Sequence, residues 1–402
     1  MFRIFITLLF FLNLLNANLL QETIDNAEEG AILKLPKGTY KGSIKINKPI
    51  SIIGKEAGVI IDGLGEGTVI EINSPYVTIK NLTIVGSGEK HDKLDAAIKI
   101  SNSKQSEISD NIIKDCLFGI DVSMSNNSII SNNYITSKDL DLGLRGDGLR
   151  LWYSNDNIIT KNKLINSRDM VVWYSHGNEI SENYGENNRY SLHFMYAGKN
   201  YVKNNTYKFN SVGIFFMYSK DTLASGNIIK SSLGATGMGI GLKDVSNFTL
   251  KDNTVIYCAQ GIYIDRSPFE PDTKNWIENN KVLYNAEALH FHSLSEDNVI
   301  KGNNILGNIE DIVNDSRGSK TDKNEIVNNY WDNYEGFDKN GDNIGDTPHK
   351  VFQYADQLWV YNSNVKFFYG SPVISLLNFL AKLAPFSEPI FLMSDDKPKL
   401  KI

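Results

Sequence analysis

A short pattern recurring at nearly constant spacing constrains this chain more than any other feature. It reads small residue, apolar, any, apolar, and appears as Val69-Ile70-Glu71-Ile72, Ala97-Ile98-Lys99-Ile100 and Gly119-Ile120-Asp121-Val122. It continues from Gly148, Asp169, Ser191, Gly213, Gly239, Gly261, Ala288 and Asp311, with successive starts 21 to 29 residues apart. The minimum is steady, so the excesses read as loops inserted between strands. Two shorter strands introduced by Asn lie between anchors, as in Asn157-Ile158-Ile159 and Asn162-Lys163-Leu164-Ile165. Three alternating strands per repeat describe a prism-shaped coil. One coil cannot bury its inward apolar face, so coils must stack, with equivalent residues about 4.8 Å apart. Parallel crossovers favour a right-handed path. The expected fold is therefore an all-β, right-handed parallel β-helix over residues 31–330. Asn suits its corners because it tolerates left-handed backbone, and stacked Asn side chains can hydrogen-bond along the axis.

The flanking segments differ in kind. Met1-Phe2-Arg3 followed by a mostly apolar Ile4–Leu15 has the length of a signal-peptide core, predicting an exported protein with a signal over 1–17 and cleavage near Ala17. Residues 18–30 read as an amphipathic helical cap. Residues 331–370 form an Asn/Asp/Gly-rich region. Residues 371–402 form an apolar tail, in which Ser371 caps a helix with Pro372 at its first position and Pro385 ends it. Ile374, Leu377, Leu380, Leu383 and Phe386 are its candidate docking residues, and Ile390-Phe391-Leu392-Met393 would extend that surface. Thirteen helical residues are too few to span a bilayer.

A net charge of −6 carries no electrostatic footprint for nucleic acid. The two cysteines, Cys116 and Cys258, precede equivalent anchors six coils apart, about 29 Å at the interstrand spacing. No disulfide reaches that far, so both are expected to be buried free thiols.

The third and fifth residues of each anchor strand should face outward. The fifth-position column runs Trp152, Trp173, Met195, Met217, Lys243, Asp265, His292 and Asp315, with Tyr153, Tyr174, Tyr196 and Tyr218 one residue on. The third position adds His193, Phe215, Tyr263 and His290. Such a patch marks a binding surface unless the loops at 138–145 or 231–237 cover it. Thioether and imidazole donors suit Cu(I), making His193, Met195 and Met217 candidate ligands, with His290 and His292 a second locus. Aromatic platforms on Trp152 and Trp173 equally suit sugar rings, so a polysaccharide-binding or polysaccharide-modifying β-helix is the alternative. Catalysis is disfavoured: the outward Asp121 and Asp265 lie six coils apart, Arg150 and Arg266 show no acidic partners, and no nucleophile–base set is readable. Asp338, Asn340, Asp342 and Asp346 have calcium-loop spacing, but Gly at position 6 and the final Glu are missing.

The runs Gly146-Asp147-Gly148-Leu149-Arg150-Leu151-Trp152-Tyr153-Ser154, Arg168-Asp169-Met170-Val171-Val172-Trp173-Tyr174-Ser175 and Arg189-Tyr190-Ser191-Leu192-His193-Phe194-Met195-Tyr196 resemble the NosD family. The resemblance continues through Asn329-Tyr330-Trp331-Asp332 to Asp346 and into Leu383–Pro389, covering nearly the whole chain after the signal. The initial basic region is weaker than usual in that family. The resemblance implies a periplasmic, non-enzymatic accessory protein for copper-site assembly in nitrous-oxide reductase. The implied partners are an ABC transporter permease and ATPase, a copper donor protein and the apo reductase. The permease would hold the chain at the inner membrane.

Overall fold

The computed structural model describes residues 19–234, 236–315, 323–353, 363–368, 371–383 and 390–402. Three parallel sheets run along one axis, two of 13 strands and one of 12, and each coil adds one strand to each in the same order. The first wall starts at Ile32–Leu35, the second at Gly38–Lys41 and the third at Ile44–Ile46. The architecture is a right-handed parallel β-helix of about 13 turns. One coil precedes the anchor series: Ser43-Ile44-Lys45-Ile46 carries the same pattern, and Ile44–Ile46 pairs in register with Ile70–Ile72. On the third wall the inward column Leu151, Val172, Phe194, Phe216, Leu242 and Ile264 is fully buried. Phe194, Phe216 and Phe248 pack ring to ring, with centroids 4.9 and 4.7 Å apart.

The asparagines divide labour in a way their composition does not reveal. In the main corner column the left-handed residue is the one before the buried Asn, as at Asp110, Asn132, Lys161, Glu182 and Asn204. The buried residue that follows builds the ladder. Asn183 Nδ2 donates to Asn205 Oδ1 (3.0 Å), Asn205 to Asn227 (2.9 Å), Asn227 to Asn253 (2.9 Å), and so on through Asn280 and Asn303 to Asn329. Each Nδ2 also meets a main-chain carbonyl, so no buried amide is left without a partner there.

Both ends are closed. Residues 19–26 form helix α1, which buries Leu20 and Ile24 on the first coil. Gln21 imitates a missing strand: its Oε1 accepts from Lys45 N (2.8 Å) and its Nε2 donates to Lys45 O (3.1 Å). At the other end His349–Gln353 and Ile390–Asp395 pair antiparallel, and Leu392 and Met393 join the main core. Leu392 and Met393 therefore belong to a structural lid, which corrects the expectation that they extend a docking surface, while Ile390 and Phe391 stay exposed. The Asp395 carboxylate ends the Asn ladder. It accepts from Asn328 N (3.1 Å), Asn329 N (2.9 Å), Asn329 Nδ2 (3.0 Å) and Trp331 Nε1 (3.0 Å).

Cys116 and Cys258 are free and buried, and burial pushes their thiols up to about 12 and about 11. Neither has thiolate character at neutral pH.

Candidate binding wall and metal ligands

Parallel register makes the outward column of the third wall a continuous stripe. Ser123, Trp152, Trp173, Met195, Met217, Lys243, Asp265 and His292 are successive partners from strand to strand. Trp152, Trp173, Met195 and Met217 are all half-buried. The loop at 138–145 does not cover them. Leu140 packs beside Ala96, Leu117 and Phe118, and Leu144 O meets His91 Nε2 at 3.0 Å, so the loop leans toward the preceding coils. Leu233, in the loop at 231–237, stays exposed.

Tyr153, Tyr174, Tyr196 and Tyr218 stack face to face, with centroids 4.8, 5.1 and 4.9 Å apart. All four have left-handed backbone, φ 48° to 52°. That conformation is unusual for bulky residues and costs on the order of 1–2 kcal/mol each. Trp152 meets Trp173 edge-on at 5.7 Å, and the Arg150 guanidinium lies 4.8 Å from the Trp152 ring.

The third-position residues face out of the wall but are largely covered, which corrects their expected exposure. Phe215 is buried because its ring lies flat over Gly241 of the next coil; a Cβ there would fall 2.0 Å from the ring. It is therefore not part of an open surface. His193 is also buried, stacked on Tyr190 (4.8 Å) and edge-on to Trp173 (6.2 Å). Its Nε2 lies 3.3 Å from Met217 Sδ, and its Nδ1 has no hydrogen-bond partner among the described residues. Burial depresses its pKa to about 4, against the pull of Asp169, so the imidazole is neutral at pH 7. Metal–nitrogen and metal–sulfur bonds of about 2.0 and 2.3 Å let two donors up to about 4 Å apart share an ion. Met195 is the strand partner of Met217. A neutral imidazole with two adjacent thioethers is a soft donor set that fits Cu(I).

His290 and His292 are brought together with a residue that spacing alone did not join to them. Asp315 Oδ2 is 3.2 Å from His290 Nε2, and Asp315 Oδ1 is 2.8 Å from His292 Nδ1. Glu287 Oε2 sits 2.6 Å from His290 Nδ1. Burial alone would depress the His290 pKa, but hydrogen bonds to Asp315 and Glu287 outweigh it and push the group up to about 9.

The arginines do have acidic partners, which corrects the sequence reading. Arg150 pairs with Asp121 (2.8 Å), Arg168 with Asp147 (2.9 Å), and Arg189 with Asp169 through Nε at 3.0 Å. Arg266 pairs with Asp244, and Lys243 with Asp265. Each pair joins neighbouring coils 20 to 29 residues apart in sequence. The available signal was an Arg about one coil after each Asp, Arg168 21 residues after Asp147 and Arg189 20 residues after Asp169.

The calcium-like loop closes on its own hydrogen bonds. Asp338 accepts from Gly341 N (2.7 Å) and Asn343 N (2.8 Å), Asp342 from Ile344 N (2.8 Å), and Asp346 from Lys339 N (2.6 Å). Asn340 Nδ2 donates to Asp342 (3.0 Å). The loop also packs on the lid, where Gly345 N donates to Pro398 O at 2.8 Å.

Helix α2 (Pro372–Leu383) is capped by Ser371, whose Oγ accepts from Ile374 N at 3.3 Å. Ile374 is buried and Leu377 half-buried, so the exposed apolar face is Val373, Leu376, Phe379, Leu380 and Leu383. Ile374 thus falls on the wrong side for docking. Phe386 and the signal segment 1–17 lie outside the described residues. No helix among the described residues is long and apolar enough to cross a membrane.

Residues 131–336 match the family model described as periplasmic copper-binding protein (NosD), and residues 57–189 match that of the right-handed β-helix region. A relative from Stutzerimonas stutzeri, named probable ABC transporter binding protein NosD, is 27% identical, covering 88% of this chain and 83% of its own. A protein of the same name from Pseudomonas aeruginosa is also 27% identical, with 87% and 84% covered. Among solved structures, the catalytic unit of a thermostable α-1,3-glucanase from Streptomyces thermodiastaticus superposes with TM-score 0.59 at 14% identity, covering 79% of this chain and 66% of that one. At that identity the likeness is one of fold alone.

Proposed function

The chain belongs to the NosD family, and from that premise we propose that it is a periplasmic scaffold holding copper for assembly of the nitrous-oxide reductase copper site. His193, Met195 and Met217 receive the ion as cargo. The observation that carries this reading is the neutral, partly unpartnered imidazole of His193 beside the Met217 thioether. Copper reaches the wall from a donor protein and leaves for the apo reductase, with the half-buried Trp row and the more exposed Tyr row providing the contact surface. A binding role also suits the wall's acids, because Asp121, Asp147, Asp169, Asp244 and Asp265 are each neutralised by a cationic partner. Paired carboxylates free to act as acid and base, as glycoside hydrolysis requires, are not found among them.

Anaerobic Cu(I) titration tests the site. The wild-type protein is expected to bind one tight equivalent. The Met195→Ala/Met217→Ala double variant should lose at least about tenfold in affinity, about 1.4 kcal/mol. Equal affinities would sink the assignment.

The names of the relatives support an ABC transporter as partner, and the exposed face of α2 is the surface we assign to its permease. The lid strands suggest a clean test. Gln353 and Ile390 are antiparallel partners, so residues 354–389 can be replaced by an Asn-Gly turn of the type that joins such strands. Melting temperature should be unchanged while co-purification with permease and ATPase falls at least about tenfold, about 1.4 kcal/mol. Retained co-purification would move the docking surface elsewhere.

A further inference from the structure

Three coils past Met217 along the same stripe lies a second cluster whose donors are of a different chemical kind. His290 and His292 occupy alternate positions of one strand, Glu287–His292, so both side chains leave the wall on the same side. Asp315 follows the next strand and reaches back between them. One nitrogen from each imidazole and one oxygen of Asp315 all lie within 4.8 Å of one another. The Glu287 carboxylate can only accept, so His290 Nδ1 carries a proton toward it at 2.6 Å, and Gln260 Nε2 donates to the same oxygen at 3.2 Å. That contact fixes the ring with Nε2 aimed at Asp315. A carboxylate bonded to the far nitrogen of a histidine is the outer-sphere arrangement that orients metal-ligating imidazoles. The Tyr263 ring stacks on His292 at 5.9 Å and restricts its rotation. Asp315 is exposed and His292 half-buried, so solvent and an ion have access.

We propose that His290 Nε2, His292 Nδ1 and Asp315 bind a divalent transition-metal ion of the zinc or copper(II) class, the ion displacing the proton on Nε2 to solvent while Nδ1 keeps its own toward Glu287, with the remaining positions open to solvent. Two imidazoles and a carboxylate favour such ions, whereas the thioethers near His193 favour monovalent copper. The two loci stand about 14 Å apart at the interstrand spacing, too far to share one ion. The wall then carries one soft and one borderline site on a single register.

Co(II) added alone to the purified full-length chain at fixed neutral pH is the probe, read by its visible absorption and by Zn(II) displacement. One saturable equivalent is expected. His292→Ala and Asp315→Asn should each weaken it at least about tenfold, while Met195→Ala/Met217→Ala leaves it unchanged. Asp315→Asn keeps the side-chain shape, and matching melting curves establish that the fold persists. No saturable binding, or binding equal in wild type, His292→Ala and Asp315→Asn, would overturn the site and leave only a charge-paired histidine. Cu(I) titration of the methionine variant is read separately, so either site can fail without the other.

Discussion

Asp395→Ala is expected to destabilise the protein by about 3–6 kcal/mol and to unravel its last coils first. The carboxylate is fully buried and terminates a column of amides running almost the length of the β-helix. Without it, the main-chain N–H groups of Asn328 and Asn329 and the Trp331 indole lose their acceptor at once, and the Asn329 amide keeps only main-chain carbonyls. A buried donor left unpaired costs about 1–3 kcal/mol, and water entering at the end relieves only part of that. Each coil of a solenoid is supported by its neighbours alone, so the damage should be local before it is global. Hydrogen exchange should accelerate over Asn303–Trp331 while the strands around Phe118–Ser123 keep their protection. Asp395→Asn retains one acceptor oxygen and should lose about 1–3 kcal/mol. If both variants melt like the wild type, the lid is not what closes the column.

Asp311→Asn should act in the opposite direction, stabilising the protein by about 2–4 kcal/mol at pH 8. Burial, reinforced by the nearby Asp332 carboxylate, pushes the Asp311 pKa up to about 7. One of its oxygens has no partner among the described residues, while the other accepts from Asn333 Nδ2 at 2.7 Å. The folded state therefore holds a proton that the unfolded chain releases near pH 4, so wild-type stability falls as pH rises from about 4 through about 7. An amide has no such term. The variant's advantage should be absent near pH 4, grow across that interval and level off above it. Denaturant unfolding at several pH values checks this, and an advantage that did not depend on pH would exclude ionisation of Asp311 as the cause.

Period, alternation and the vertical alignment of equivalent residues are legible in the order of residues alone. A strand that alternates every two residues and a coil that returns about every 22 leave little freedom in register. Trp152, Trp173, Met195 and Met217 consequently stand as successive partners, as their spacing requires. The same logic separated the two cysteines. Alternation distinguishes outward from inward, but it does not say whether an outward residue is covered. Phe215 disappears because Gly241 in the next coil leaves room for its ring, and His193 because Tyr190 lies over it.

Tertiary structure also chose the long-range polar partners. Arg150 finds Asp121, Asp315 finds two histidines, and Asp395 reaches an asparagine 66 residues earlier. The apolar run Ile390–Met393 reads equally well as a docking surface or a lid. Only its pairing with His349–Gln353 shows that Leu392 and Met393 turn into the core while Ile390 and Phe391 stay exposed. The physical reason is that stacking is a short-range rule repeated in every coil, so one sequence pattern encodes it many times over. Coverage, ion pairing and end closure depend on single contacts between segments that only the folded chain brings together.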